Sequence, residues 1–312
     1  MIHSLALLAL VPAFFSWTGV VLVFLGNYVF GSLGINLGYH RLLTHRGFSC
    51  PKWLEYGLTL LGVCSLQDSP ARWVATHRMH HRDSDEQPDP HSPLVSFLWG
   101  HIGWLIIKNR KIRHGAAETY AKDLLRDPFQ ARLNKNRLWL WIYLAHGVAF
   151  LAVGCLAGWL VTQTPAEALL FGTSVFVWGV LVRTVYVWHI TWLVNSAAHL
   201  WGYQNYETGE NSRNNWVVAL LTNGEGWHNN HHAHQRSAAH GHRWWELDLT
   251  YATIRVLQAL GLVWDVVLPP NASERRLVVR GSVHRASKRQ GPHRPETATE
   301  VVLAPAEEGK AV

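Results

Sequence analysis

Charge is scarce in this chain: of 312 residues, only 16% are Asp, Glu, Lys or Arg. Cysteine is scarcer. Cys50, Cys64 and Cys155 are odd in number, widely spaced and form no CxxC pair, which excludes a disulfide framework and cysteine-based zinc modules. They read as small buried hydrophobes. Basic residues outnumber acidic ones, for a net charge of +7, yet no nucleic-acid motif accompanies the excess. Much of it lies beside apolar spans or in the C-terminal tail. That points to an anionic membrane surface or a phosphate-bearing substrate, and away from nucleic acid.

What the chain has instead is apolar surface, with 48% hydrophobic residues and 17 Trp. A membrane crossing takes about 20 apolar residues, and four transmembrane helices are expected at about 2–15, 18–38, 138–161 and 168–190. A signal peptide is set aside at the start, because no basic region opens it and the apolar run leads into histidines. Residues 138–161 carry no formal charge, and the run from 168 to 201 is longer than a bilayer requires, so its far end should project from the membrane. Arg183 is the one formal charge deep in that run; such charges usually face the helix bundle.

The short connections at 12–18 and 162–167 contain no Lys or Arg, whereas 39–137 contains fifteen. By the positive-inside rule both termini and the polar segments face the cytoplasm. The expected fold is an all-α integral membrane protein in which two helical hairpins carry a cytosolic helical cap. Residues 1–270 form one domain, with 39–137 and 191–270 as the cap, and 271–312 form a polar, disordered tail.

Histidine carries the chemistry. His77, His80 and His81, like His228, His231 and His232, stand at i, i+3 and i+4, one face of a helical turn. His40 and His45 are five apart, and Asn195 precedes His199 by four. Five residues overshoot an α-helical turn by about 140°, so the second helix is expected to end near His40, leaving His45 on an irregular turn. Each cluster closes or follows an apolar run, so nine imidazoles read as one metal centre drawn from remote segments. No thiolate or acidic ligand is read in these boxes. Nine nitrogens exceed one tetrahedral zinc and suit two ions of about five-coordinate geometry, with Asn195 in the tenth position directly or through water. Imidazole does not fix the metal; a redox metal against a membrane implies oxygen chemistry on an apolar substrate, which favours iron. Asp83, Asp85, Glu86, Asp89 and Glu225 are candidates to orient the rings. His91 and His234 lie close by and are left out of the ligand set.

Gly38-Tyr39-His40-Arg41-Leu42-Leu43-Thr44-His45, His77-Arg78-Met79-His80-His81, Trp192-Leu193-Val194-Asn195-Ser196-Ala197-Ala198-His199 and Gly224-Glu225-Gly226-Trp227-His228-Asn229-Asn230-His231-His232 together resemble the membrane acyl-CoA desaturases of the stearoyl-CoA Δ9 type. The resemblance runs over roughly residues 5–268. It implies a di-iron centre held by His40, His45, His77, His80, His81, His199, His228, His231 and His232, with Asn195 linked through water. It also implies insertion of a cis double bond, at Δ9, into a long-chain saturated acyl-CoA, using dioxygen and two electrons. Gln67, Trp73, Thr191 and Trp192 match positions where the family bends its acyl tunnel, and Tyr28 and Ser32 positions near its closed end. Lys108 and Arg110 match basic residues that meet the coenzyme A phosphates. Ala75 and Thr76 replace an Arg-Asp pair of animal enzymes, which leaves an acyl carrier protein or a lipid ester open as the carrier. No His-Pro-Gly-Gly haem box follows residue 268, so a separate donor is expected, a ferredoxin or a cytochrome b5 with its reductase. A related di-iron hydroxylase and a non-catalytic membrane metal carrier are the alternatives.

Overall fold

The computed structural model describes residues 1–86, 89–107 and 115–270. Lys108, Arg110 and the proposed tail lie outside the described residues. Residues 1–269 form one compact unit, all helical among the described residues apart from three isolated β-bridges.

The expected first crossing is not a continuous helix. A five-residue helix, α1 (Ile2–Ala6), passes into two 3₁₀ turns, Leu7–Leu10 and Pro12–Phe14, with Val11 extended between them. Pro12 explains the break: it has no N–H to donate, and it pushes the residue before it out of the helical region. Among the described residues three helices are long and apolar enough to cross a membrane: α2 (Trp17–Thr44), α5 (Leu138–Thr162) and α6 (Pro165–Leu200). Between α2 and α5 come α3 (Lys52–Val63), α4 (Pro70–Asp83) and several short helices from Trp99 to Asn134. After α6 come α7 (Trp216–Leu221), α8 (His228–Ala233) and α9 (Leu249–Ala259).

Helix α2 is the central post. Ser16 caps it, its hydroxyl accepting from the Gly19 N–H at 2.9 Å. Its second half is enclosed on two sides. Ile35, Tyr39 and Leu43 pack with Ala71, Val74 and Ala75 of α4, while Leu37 and Leu42 pack with Leu58 of α3 and Ile254 of α9. The approach of α3 is close enough to require glycine on both helices. A Cβ on Gly34 would sit 2.4 Å from the Gly62 nitrogen, and one on Gly62 2.5 Å from the Tyr39 ring.

Helices α5 and α6 form an antiparallel hairpin through a small-residue seam. Gly154 and Gly158, four apart, would bring a Cβ within 2.9 Å of the Gly172 and Ala168 backbones respectively. Away from the seam α5 exposes Trp141, Leu144, Val148, Val153, Leu156 and Leu160, an apolar face of the kind lipid covers. The buried Arg183 of α6 donates to the backbone oxygens of Cys64 at 2.7 Å and Gly179 at 3.1 Å, beneath the Phe30 ring. It is thus turned into the bundle. Helix α6 has 36 residues, about 54 Å at 1.5 Å per residue, against roughly 30 Å of hydrocarbon. Its surplus carries Asn195 and His199 to the histidine clusters.

Candidate metal centre

The second helix does not stop near His40. From Asn27 to Thr44 its backbone follows π-type turns, and the His45 N–H donates to the His40 carbonyl at 3.1 Å, a five-residue hydrogen bond. The wider turn restores what α-helical geometry denies. Residues five apart come to one side, and the His40 and His45 rings lie 4.8 Å apart. Arg78 of α4 fastens this end of the helix, donating to the Leu43 carbonyl at 2.9 Å and the Thr44 carbonyl at 3.2 Å, and to Asp123 at 2.7 Å.

All nine histidines named from the sequence converge, and they sort into two groups. His40, His45, His77, His81 and His231 form one; His80, His199, His228 and His232 form the other. Within each group the donor atoms lie no more than 4.8 Å apart. Helix α4 serves both, since its i, i+3, i+4 triplet turns His77 and His81 to one group and His80 to the other. Helix α8 does the same with His231 against His228 and His232.

The nitrogens approach one another as ligands of a common ion would. The Nε2 pairs His40–His231, His77–His81, His81–His231 and His199–His228 are separated by 3.1, 3.0, 2.9 and 3.0 Å. With a metal–imidazole bond of about 2.1 Å, two ligands at a right angle stand about 3.0 Å apart. His45 Nε2, His80 Nε2 and His232 Nε2 are buried with no hydrogen-bond partner, an expensive arrangement unless something else engages them. Burial pushes His45, His77, His81, His228, His231 and His232 well below the ordinary histidine range, and crowding by other imidazoles pushes the same way. They are therefore neutral at physiological pH, the form that binds metal. The residues fit an ion in each group.

A ring of carboxylates orients the imidazoles from behind. Glu225 meets His40 Nδ1 at 2.6 Å, Asp89 meets His80 Nδ1 at 3.0 Å, and Asp85 meets His199 Nδ1 at 3.1 Å. Burial alone would raise the Glu225 carboxyl; Arg41, His240 and His40 outweigh it and hold the group well below the carboxylate range. Asp85 is likewise lowered to about 2, against burial, chiefly by its hydrogen bond to His199. Of the other two acids named from the sequence, Asp83 turns outward to Arg82, and no contact of Glu86 with a histidine ring is present among the described residues.

Several partners escape sequence reasoning. Glu210 lies 3.5 Å from His232 Nδ1, and His240 shares the Glu225 oxygen at 3.2 Å. Glu225 also stands three residues before His228, a spacing that elsewhere supplies a carboxylate ligand; here its oxygens go to His40, His240 and Arg41. The loop that aims it needs glycine twice. Gly224 has φ +125°, and a Cβ on Gly226 would meet the Ala219 nitrogen at 2.1 Å. Asn229 and Asn230, wholly buried between the α8 histidines, pin that short helix. Asn230 donates to the His240 carbonyl and Glu246, both at 2.8 Å, and Asn229 accepts from the Asn205 and Tyr206 N–H groups at 2.7 and 2.9 Å.

A family model described as "Fatty acid desaturase" matches residues 15–264. The chain belongs to the fatty acid desaturase family. Among its relatives is an sn-1 stearoyl-lipid 9-desaturase of Anabaena variabilis, 47% identical over 86% of this chain and 90% of that one. A chloroplastic palmitoyl-monogalactosyldiacylglycerol delta-7 desaturase of Arabidopsis thaliana is 44% identical over 88% and 68%. An acyl-CoA 5-desaturase of Anemone leveillei is 39% identical over 90% and 81%.

Beside the histidines lies a cavity of about 850 Å³, whose wall includes His40, His77, His228 and Asn195. Gln67, Trp73, Thr191 and Trp192 all line it. Three of them are linked: Trp73 Nε1 donates to Gln67 at 3.2 Å, and Gln67 donates to Thr191 at 3.0 Å. Tyr28 and Ser32 are not in the wall among the described residues. Tyr28 bonds Thr253 of α9 at 2.9 Å, and Ser32 accepts from Asn223 at 2.6 Å. Asn27 and Gly31, one residue earlier on the same turns, line the cavity instead. Successive residues of a helix point in different directions, so a shift of one residue separates these two from the cavity wall.

Proposed function

We propose that this desaturase inserts a cis double bond, at Δ9, into a long saturated acyl chain esterified in a glycerolipid. The observation that carries the reading is the adjacency of the two imidazole groups to a single cavity of about 850 Å³, within the 300–1,000 Å³ usual for ligand sites. His40, His45, His77, His81 and His231 would hold one iron ion, and His80, His199, His228 and His232 the other, with Asn195 linked to the second through water. That iron pair supplies the power to activate dioxygen and take hydrogens from two neighbouring saturated carbons, the oxygen leaving as water. The remaining work belongs to the protein. Trp73, Gln67, Thr191 and Trp192 bend and hold the chain so that one pair of carbons faces the ions, and the carboxylates keep each ring in its metal-binding tautomer.

A lipid ester is favoured as substrate by the 47% identical relative from Anabaena variabilis, an sn-1 stearoyl-lipid 9-desaturase. The acyl-CoA thioester expected from the motifs is the second reading, favoured by the acyl-CoA desaturase at 39%. The N-terminal segment before α2 lies in the bilayer as the partner of α2, completing four membrane elements, and the histidine side faces the cytoplasm, as the basic residues of 39–137 indicate.

The test is lipid analysis of cells expressing the wild type beside His228→Ala. Monounsaturated chains in intact glycerolipids, absent with the variant, support the reading. Double bonds formed first in the acyl-CoA pool would select the second reading, and a hydroxylated product would end both.

A further inference from the structure

The five-histidine group lies between two openings. On one side His40 and His77 line the apolar cavity. On the other, His45 and His81 form part of a separate depression of about 660 Å³ whose wall carries Arg46, Arg78, Arg82 and Arg236. Among the described residues Asp123 is the single carboxylate in that wall, and the four arginines leave the mouth net positive. Arg46 and Arg78 share Asp123, and Arg82 pairs with Asp83, so the unpaired charge comes from Arg236 and the rim. Arg236 is exposed and has no acidic partner among the described residues. Lys122 and Arg126, exposed on the short helix that bears Asp123, extend the positive rim.

We propose that this depression docks an acidic one-electron carrier protein and that electrons enter through the edges of His45 and His81. The inference rests on the desaturase reading, which requires reductant: dioxygen takes two electrons from two carriers in turn, two hydrogens from the acyl chain and two protons from water, giving two waters. The geometry separates the traffic. The acyl chain occupies the cavity beside His40 and His77, so the carrier uses the face that the chain leaves open, where a positive surface steers an acidic partner.

Stopped-flow mixing of a reduced plant-type [2Fe–2S] ferredoxin with the iron-loaded enzyme in detergent reads the transfer as reoxidation of the carrier. Replacing Arg46→Glu and Arg236→Glu together is expected to slow the second-order rate about tenfold or more and to flatten its salt dependence. Reduction by dithionite, which needs no docking, stays as in wild type. Binding of oxidised ferredoxin to the metal-free protein should weaken in parallel. A variant rate within about twofold of wild type at low salt overturns the proposal, and so does a wild-type protein that accepts electrons from dithionite but from neither ferredoxin nor cytochrome b5. Neither result touches the desaturase reading, which fails separately if cells supplied with ferredoxin and its reductase make no monounsaturated lipid.

Discussion

Arg41, fully buried, grips Glu225 through Nε at 3.1 Å and Nη2 at 2.8 Å, and the opposite oxygen of Glu225 meets His40 Nδ1 at 2.6 Å. Asp248 holds the same guanidinium from the other side at 2.9 Å. The result is a relay of charges, Asp248–Arg41–Glu225–His40, that fixes the His40 ring before any ion arrives.

Breaking that relay should be read in the metal. Glu225→Gln keeps the shape but loses the charge that favours the Nδ1–H tautomer of His40. Metal affinity of the five-histidine group is expected to fall about 10–100-fold, measured by chelator competition. Unchanged affinity would mean that the carboxylate does not orient the ring.

Two glycines of the α2–α3 pair should respond with opposite signs. Gly34→Ala forces a Cβ to 2.4 Å from the Gly62 nitrogen and should cost about 1–3 kcal/mol. Gly57→Ala, on the same α3 and with nothing within 4 Å, should gain up to about 1 kcal/mol from helix propensity. Thermal unfolding in detergent checks both.

The cavity wall predicts which substitutions change the product. Gly31→Val, which adds bulk where Gly31 lines the cavity, should shorten the chains accepted, while Tyr28→Ala should leave chain length as it is. Thr191→Val removes the hydroxyl that accepts from Gln67 and should shift or blur the double-bond position. Gas chromatography of derivatised products reads both, and a chain-length change with Tyr28→Ala would return that residue to the wall.

Acid should loosen the cap at Asp123. Burial would raise its carboxyl, but hydrogen bonds from Arg78 and Arg46 prevail and hold it at about 2, below the unfolded value of about 3.9. A carboxyl lowered by folding stabilises above its unfolded value and loses that contribution as pH falls between about 4 and 2. Unfolding midpoints at pH 5 and pH 3 should therefore converge on those of Asp123→Asn as the medium acidifies.

The convergence of the histidines was legible because spacing alone puts three imidazoles on one helical face, and because α6 is visibly too long for a membrane. What stayed hidden depends on geometry that no periodicity encodes. The π-type turns bringing His45 beside His40 leave no mark on an apolar run that shows no helical stripe. For the same reason α2 has no polar stripe to set its rotation, so Asn27 and Gly31, which line the cavity, were not singled out. Glu210, His240 and Asp248 join the site through loops, where contact partners are remote in sequence. The N-terminal run was read from apolarity alone as one helix, and Pro12 breaks it into short helical pieces.

Helix α6 ties the chemistry to the solvent it sits in. One end runs through the apolar hairpin and the other presents Asn195 and His199, with no break between them. A rigid rod so anchored tilts when the surrounding film thins or swells, and its tip swings with it. Reconstitution into lipids of graded tail length should then give a bell-shaped dependence of turnover on thickness, making the enzyme a gauge of the material it edits.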